Sequence, residues 1–351
     1  MKHYLIPVPG LEVDEPWHLG AVMLLDPVSA RAFANEHRSA DADDAASVEA
    51  RDFLDGLEVA VGHVRAETAD DAADLLATTL DVLRVYQKSI AITATTMFGL
   101  PGELRTGTLD YVAMGNRAGL GWKRRGEHLG WKYRSEQHAE FRASVFAFAA
   151  AAIGKDNPTE GERRAILGLQ LASRAILEHR PPLRLLTVVM AAETLLLDGT
   201  QLGQSRALAQ RSAYLLCARH EQVRCGRELP TCLVLGLSPD IRADAKDIGL
   251  FRDRGNADDR WRCSEWHCVL DWYGKRSRIV HRGADNVDEK EASRALWWLT
   301  HDLLPVYLEW LQAHPDHPVE DLRAVISALP TTPDRQALHN GGYPAGGATR
   351  S

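Results

Sequence analysis

Asp271-Trp272-Tyr273-Gly274-Lys275-Arg276-Ser277-Arg278-Ile279-Val280-His281-Arg282-Gly283 is the stretch on which the reading of this chain turns. Four cations and one histidine fall within eight of its residues, in a chain whose formal net charge is −7. Positive charge concentrated against that background points to a negative partner. Read as a helix, the segment ends at Gly283, where glycine adopts a left-handed backbone at least cost. His281 then lies in the last turn, at the negative end of the helix dipole, which suits cations with or without a ligand. Arg276 and His281 are roughly 140° apart around a regular helix. They share no face unless the turn is distorted or a second copy of the segment completes the site. The Arg-x4-His spacing alone says little, because Arg174/His179 and Arg262/His267 have it too.

Outward from this segment, the second half of the chain reads as helix. Phe141, Val145, Phe148, Ala149 and Ala152 fit a buried stripe that Gly154 to Pro158 ends. Thr159 and Glu162 have capping-box spacing and open a helix towards His179. Pro181-Pro182 separates it from an apolar helix at 184–197. Further helices are expected at 204–220, 264–282 and 289–312, the last kinked at Pro305. The first 135 residues read differently. Ala21 to Leu25 is a strand or a helical turn, Leu57 to Val61 alternates as a strand does, and 89–98 is β-branched and strand-like. Between the last two, 69–86 has helical periodicity, with Asp70 and Asp71 in its first turn. The expected fold class is therefore α+β: a mixed α/β domain at 1–135, an all-α bundle at 136–320, and a disordered tail at 321–351.

At 351 residues the chain can hold two domains with cores of their own. Its 45% hydrophobic and 25% charged content is that of a soluble globular protein. No run approaches the roughly 18–20 apolar residues that span a bilayer, and the N-terminus lacks a leader's apolar core. Cytoplasmic placement without a membrane is the expectation. Five cysteines do not suggest a disulfide framework in a chain this long.

The phrase Tyr273-x-x-Arg276-Ser277-Arg278-Ile279-Val280-His281-x-Gly283 resembles the signature of the Apea-like branch of HEPN domains, a helical family containing many metal-independent ribonucleases. Ala191-Ala192-Glu193-Thr194-Leu195-Leu196 is similar to that branch's ALE-x-LL helix. Leu208 to Leu216 looks like its R-x-A-x-LL helix, and Glu289 to Trp310 like the helix that follows the motif. The resemblance covers roughly 160–312. It departs at Ser277, where HEPN ribonucleases more often carry asparagine, aspartate or histidine although serine is usual in this branch, and at the long polar connection 221–262.

Metal-independent RNA cleavage uses the 2′-OH as nucleophile. It needs a proton acceptor, a donor to the leaving 5′-oxygen, and positive charge at the phosphorane. The resemblance assigns proton transfer to His281, charge stabilisation to Arg276 and hydrogen-bond orientation to Ser277. Lys275, Arg278 and Arg282 would hold flanking phosphates, with no cofactor and no metal. It also implies RNA as partner, a homodimer and a setting in bacterial defence or toxin systems. Tyr273 and Gly283 are structural support, and Glu193 and Arg211 are expected to form a buried ion pair bracing the motif helix. The competing reading is a non-catalytic RNA-binding or dimerisation module on the same fold. Two other clusters compete for attention. Cys263, His267 and Cys268 could hold a metal with Cys217, Cys225 or Cys232, although their spacing matches no standard zinc module. Trp122 to Arg134 interleaves aromatics with cations, as a single-stranded RNA contact or an ordinary solvated strand pair would.

Overall fold

The structure, a computed structural model, describes residues 2–8, 11–36, 59–90, 131–133, 135–199, 203–218, 264–283 and 286–327. It is α+β. The chain divides into two compact units, Met1–Ser173 and Arg174–Ser351.

In the first unit, β1 (Lys2–Val8), β3 (Trp17–Leu19), β4 (Val22–Leu25) and β5 (Ala60–Ala66) form an antiparallel sheet in the order β1-β5-β4-β3. The register pairs Leu5 with His63 and Leu24 with Gly62. Helix α1 (Pro27–Glu36) covers one face, where Leu5, Leu25, Ala30, Val59 and Val61 form a buried cluster. Helix α2 (Ala69–Ile90) covers the other with Leu76, Leu80 and Leu83. Burial on both faces explains why β5 is apolar almost throughout rather than alternating. Gly62 is required by closeness: a Cβ there would lie 2.6 Å from Leu76 Cδ1. At the β3–β4 hairpin, Gly20 takes a φ of 59°, the conformation a two-residue turn needs at its first position. A parallel pair, β2 (Leu11–Val13) and β6 (Trp131–Tyr133), stands apart from this sheet.

Helices α3 (Ser135–Ala143) and α4 (Phe146–Ala152), expected beyond a boundary at 135, belong to this first unit. Phe141 meets Trp17 and Tyr86 edge-on at 5.3 and 4.9 Å, and Phe146 meets Tyr86 at 5.6 Å. The single stripe expected from 141 to 152 is broken at Ser144, whose hydroxyl and N–H both donate to Phe141 O. Val145 and Phe148 are consequently only half-buried. Helix α5 (Glu160–Leu177) opens on the predicted capping box. Thr159 N–H donates to Glu162 Oε2 at 2.9 Å, and Glu162 N–H to Thr159 Oγ1 at 3.2 Å. Arg84 joins α2 to α5 by donating to Asp81 Oδ1 at 2.7 Å and to Ser173 Oγ at 2.5 Å.

Among the described residues the second unit is helical: α6 (Pro181–Leu196), α7 (Gln204–Ala218), α8 (Ser264–Arg282), α9 (Glu289–Trp297), α10 (Leu304–Ala313) and α11 (Pro318–Ser327). Helix α6 packs against α7, α8 and α9. Its Leu185, Val188, Ala192, Leu195 and Leu196 are buried, as are Leu208, Trp272, Leu299 and Leu303 in the elements packed around it. The predicted kink at Pro305 takes a specific form. Trp298–Leu303 widens into a π-helical stretch in which Leu304 N–H reaches back to Leu299 O. Proline has no N–H to give and crowds the carbonyl four residues back, and the widened turn re-routes the ladder.

Two expectations need correction. Ser89 and Ile90, the first residues of the expected strand, continue α2, because the apolar periodicity starting at Ala72 runs on through Leu83 and Tyr86. Residues 91–98 lie outside the described residues. The tail expected from 321 begins instead as α11, which buries Val319, Leu322 and Ile326 at helical spacing and accepts a bond from Trp310 Nε1 to Pro318 O at 2.9 Å. Among the described residues, no helix is long and apolar enough to cross a membrane.

Candidate functional site

Helix α8 exists because Cys268, Val269 and Trp272 repeat at helical spacing and are buried against the core. It runs without interruption to Arg282 and stops at Gly283, whose φ is +69° and whose N–H donates to Ile279 O at 3.0 Å. That bond is the left-handed cap expected of a terminal glycine. Nothing lies within 4 Å of where a Cβ at Gly283 would be, so the glycine serves the backbone and not the packing.

The helix distributes its motif residues in three directions. Arg276 leans onto α6, where Nη2 lies 3.1 Å from Glu193 Oε2. Its guanidinium carbon also sits 5.7 Å from the Tyr273 ring centroid, within cation–π range. The Arg276 Nε is buried and has no hydrogen-bond partner. Tyr273 in turn donates from its hydroxyl to Gln204 Oε1 on α7 at 3.2 Å. Burial pushes the Tyr273 phenol above its ordinary range, the Glu193 charge adds to this, and Arg276 partly offsets it.

Lys275 turns the other way, with Nζ 2.5 Å from Glu291 on α9 and 3.8 Å from Asp271. Arg278, His281 and Arg282 stay exposed, while Ser277 is half-buried. Ser277 and His281 are one turn apart and share a face, about 40° apart on the helix wheel. Arg276 and His281 do not share one, since the helix stays regular between them. Val280, beside Arg276 on the wheel, leaves 51% of its surface open.

The ion pair expected between Glu193 and Arg211 takes another form. Glu193 pairs with Arg276, whereas Arg211 is buried and donates to Leu196 O at 2.5 Å, satisfying a carbonyl at the end of α6. Gln204 is the member of the cluster that sequence reasoning missed. A glutamine at the start of a helix carries no signal of its own, and only the packing of α7 on α8 brings it to Tyr273.

Of the residues considered for a metal, Cys268 is buried in α8, with Arg294 Nη2 at 3.4 Å from its sulfur. The side chains of Cys217, Cys225, Cys232, Cys263 and His267 lie outside the described residues. Most of the Trp122–Arg134 stretch does too, although Trp131–Tyr133 supplies strand β6. Comparison with protein-family models, with curated proteins and with solved structures found no match to this chain.

Proposed function

We propose that the second unit is a HEPN-type helical domain and that the exposed end of α8 binds RNA and cleaves it without a metal. The observation that carries this reading is the geometry of the helix end. His281 is exposed beside exposed Arg278 and Arg282, with half-buried Ser277 one turn before it, on a helix that Gly283 terminates in an otherwise acidic chain. In the reaction, a 2′-oxygen attacks the adjacent phosphorus and loses its proton to a base. The 5′-oxygen leaves with a proton from an acid, and the products are a 2′,3′-cyclic phosphate and a 5′-hydroxyl. His281 performs proton transfer, Ser277 orients a phosphate oxygen, and Arg276 stabilises the phosphorane charge. Within one copy Arg276 stands on a different face of the helix from His281. Two copies of α8 bring an arginine from one and a histidine from the other to one phosphate, so the working unit is a homodimer.

Lys275, assigned to flanking phosphate together with Arg278 and Arg282, is paired with Glu291. A second reading, RNA binding without cleavage, is favoured by the Arg276–Glu193 pair, which neutralises the charge that the phosphorane would need. The two are separated by incubating the full chain with mixed RNA in EDTA, comparing wild type with His281→Ala and Arg276→Ala. The enzyme reading expects cyclic-phosphate ends from wild type and a loss of about 10²- to 10⁴-fold in His281→Ala, the usual weight of a general acid–base. Binding with no cleavage by any form would leave the module.

A further inference from the structure

Arg276 is the cation that a phosphodiester would seek, and its Nη2 already faces a carboxylate. The Glu193 and Arg276 side chains are 17% and 25% exposed, so water, and any solute anion, can reach the pair. Arg276 Nε is buried, which leaves the Nη edge as the part of the fork an incoming anion can use. Glu193 Oε2 stands at that edge, 3.1 Å from Nη2. The Tyr273 ring lies beside the same guanidinium and limits where it can swing. A phosphate on the Nη1–Nη2 edge would therefore lie close to the carboxylate, and like charges brought that close repel.

We infer that Glu193 is an electrostatic gate on Arg276: its carboxylate holds the guanidinium in place while the site is empty and competes with a phosphodiester for the same N–H edge. The inference rests on the reading of α8 as an RNA site and adds its regulation. Displacing the carboxylate then requires an anion that makes other contacts at the helix end at the same time.

The test uses the full chain as wild type, Glu193→Gln, Arg276→Ala and the double variant. Each binds labelled single-stranded RNA over a range of salt, and inorganic phosphate is titrated in parallel while the arginine Nε–Hε resonances are followed. Glutamine keeps the shape and an acceptor for Nη2 but removes the charge. Glu193→Gln should bind RNA about fivefold more tightly, the upper end for a partly exposed ion pair. Its plot of log affinity against log salt should steepen by about 0.7, one further phosphate neutralised on a single strand. Removing Arg276 should abolish both gains, which a purely structural role for Glu193 does not require. If Glu193→Gln fails to fold, Glu193→Asp, one methylene shorter, should show a smaller gain in the same direction. A folded variant that binds RNA as wild type does, or more weakly, overturns the gate while leaving the RNA site standing. Should neither wild type nor Glu193→Gln bind RNA, the RNA reading fails by itself and phosphate decides. Tighter phosphate binding by Glu193→Gln that disappears with Arg276→Ala supports the gate, and equal binding overturns it.

Discussion

Glu162 shows at one residue how a local motif becomes a pH-dependent contribution to stability. Its carboxylate accepts from Lys155 Nζ at 2.5 Å and from Thr159 N–H at 2.9 Å, and only 4% of the residue is exposed. Burial alone would raise the carboxyl, but the lysine and the capping bonds outweigh it, and the group is held below its ordinary range. The sign follows directly. Because the folded value lies below the unfolded one, the contribution is complete above about pH 4.5 and is lost as pH falls through the folded value. Glu162→Gln should therefore lower the urea midpoint at pH 7, and the gap to wild type should narrow as the pH drops below about 4.5. A gap of constant size would show that packing, and not ionisation, sets the contribution. The spacing of Thr159 and Glu162 made the cap legible in advance, since a capping box is a local pattern. The addition of Lys155, seven residues away, was not legible, because it depends on how the turn at Gly154 folds back.

Among the elements, α8 was read from sequence at its observed limits because two local signals agree: cations in the last turn and a glycine just beyond. Where signals conflicted, the sequence misled. Residues 89–98 have strand propensity, but Ser89 and Ile90 remain in α2, since burial of its apolar face outweighs intrinsic preference. Helix α11 was hidden in a segment rich in proline and histidine, although Pro318 at its first turn, followed by Glu320 and Asp321, is a start signal. The π-helical stretch before Pro305 shows the same limit, since a kink was expected but its form depended on the surrounding packing. At the end of α8 the local signal yields a further prediction. With open space around Gly283 and a φ of +69°, Gly283→Ala meets no clash and carries only the conformational cost, about 1–2 kcal/mol. Thermal melting should register that loss. Hydrogen exchange should show the amides of His281, Arg282 and residue 283 opening faster while those near Trp272 stay protected. Equal protection along the whole helix would mean that the left-handed cap does not hold its end.

For the whole molecule, the sequence named the candidate residues but not how they are arranged. The sequence placed Arg276, Ser277 and His281 on one helix. It could not tell that Lys275 and Arg276 are each faced by a carboxylate from another helix, Glu291 and Glu193, because those pairs join residues 16 and 83 positions apart. This arrangement bears on assembly. In a regular helix Arg276 and His281 diverge by roughly 140°, so one copy does not direct both at a single phosphate. A site shared by two copies needs an arginine from one and a histidine from the other, and that can be tested by mixing two inactive proteins. Arg276→Ala supplies an intact histidine and His281→Ala an intact arginine. A heterodimer of the two therefore contains one complete composite site and one site lacking both groups. After subunit exchange in an equimolar mixture, half the dimers are heterodimers at statistical pairing, and each retains one of two sites. Cleavage should accordingly return to about one quarter of the wild-type rate if sites act independently. The recovered activity should fall on dilution as dimers dissociate. If each variant is inactive alone and the mixture stays inactive while mixed dimers are demonstrably present, the arginine and histidine of each site come from the same copy, and the shared-site arrangement is wrong.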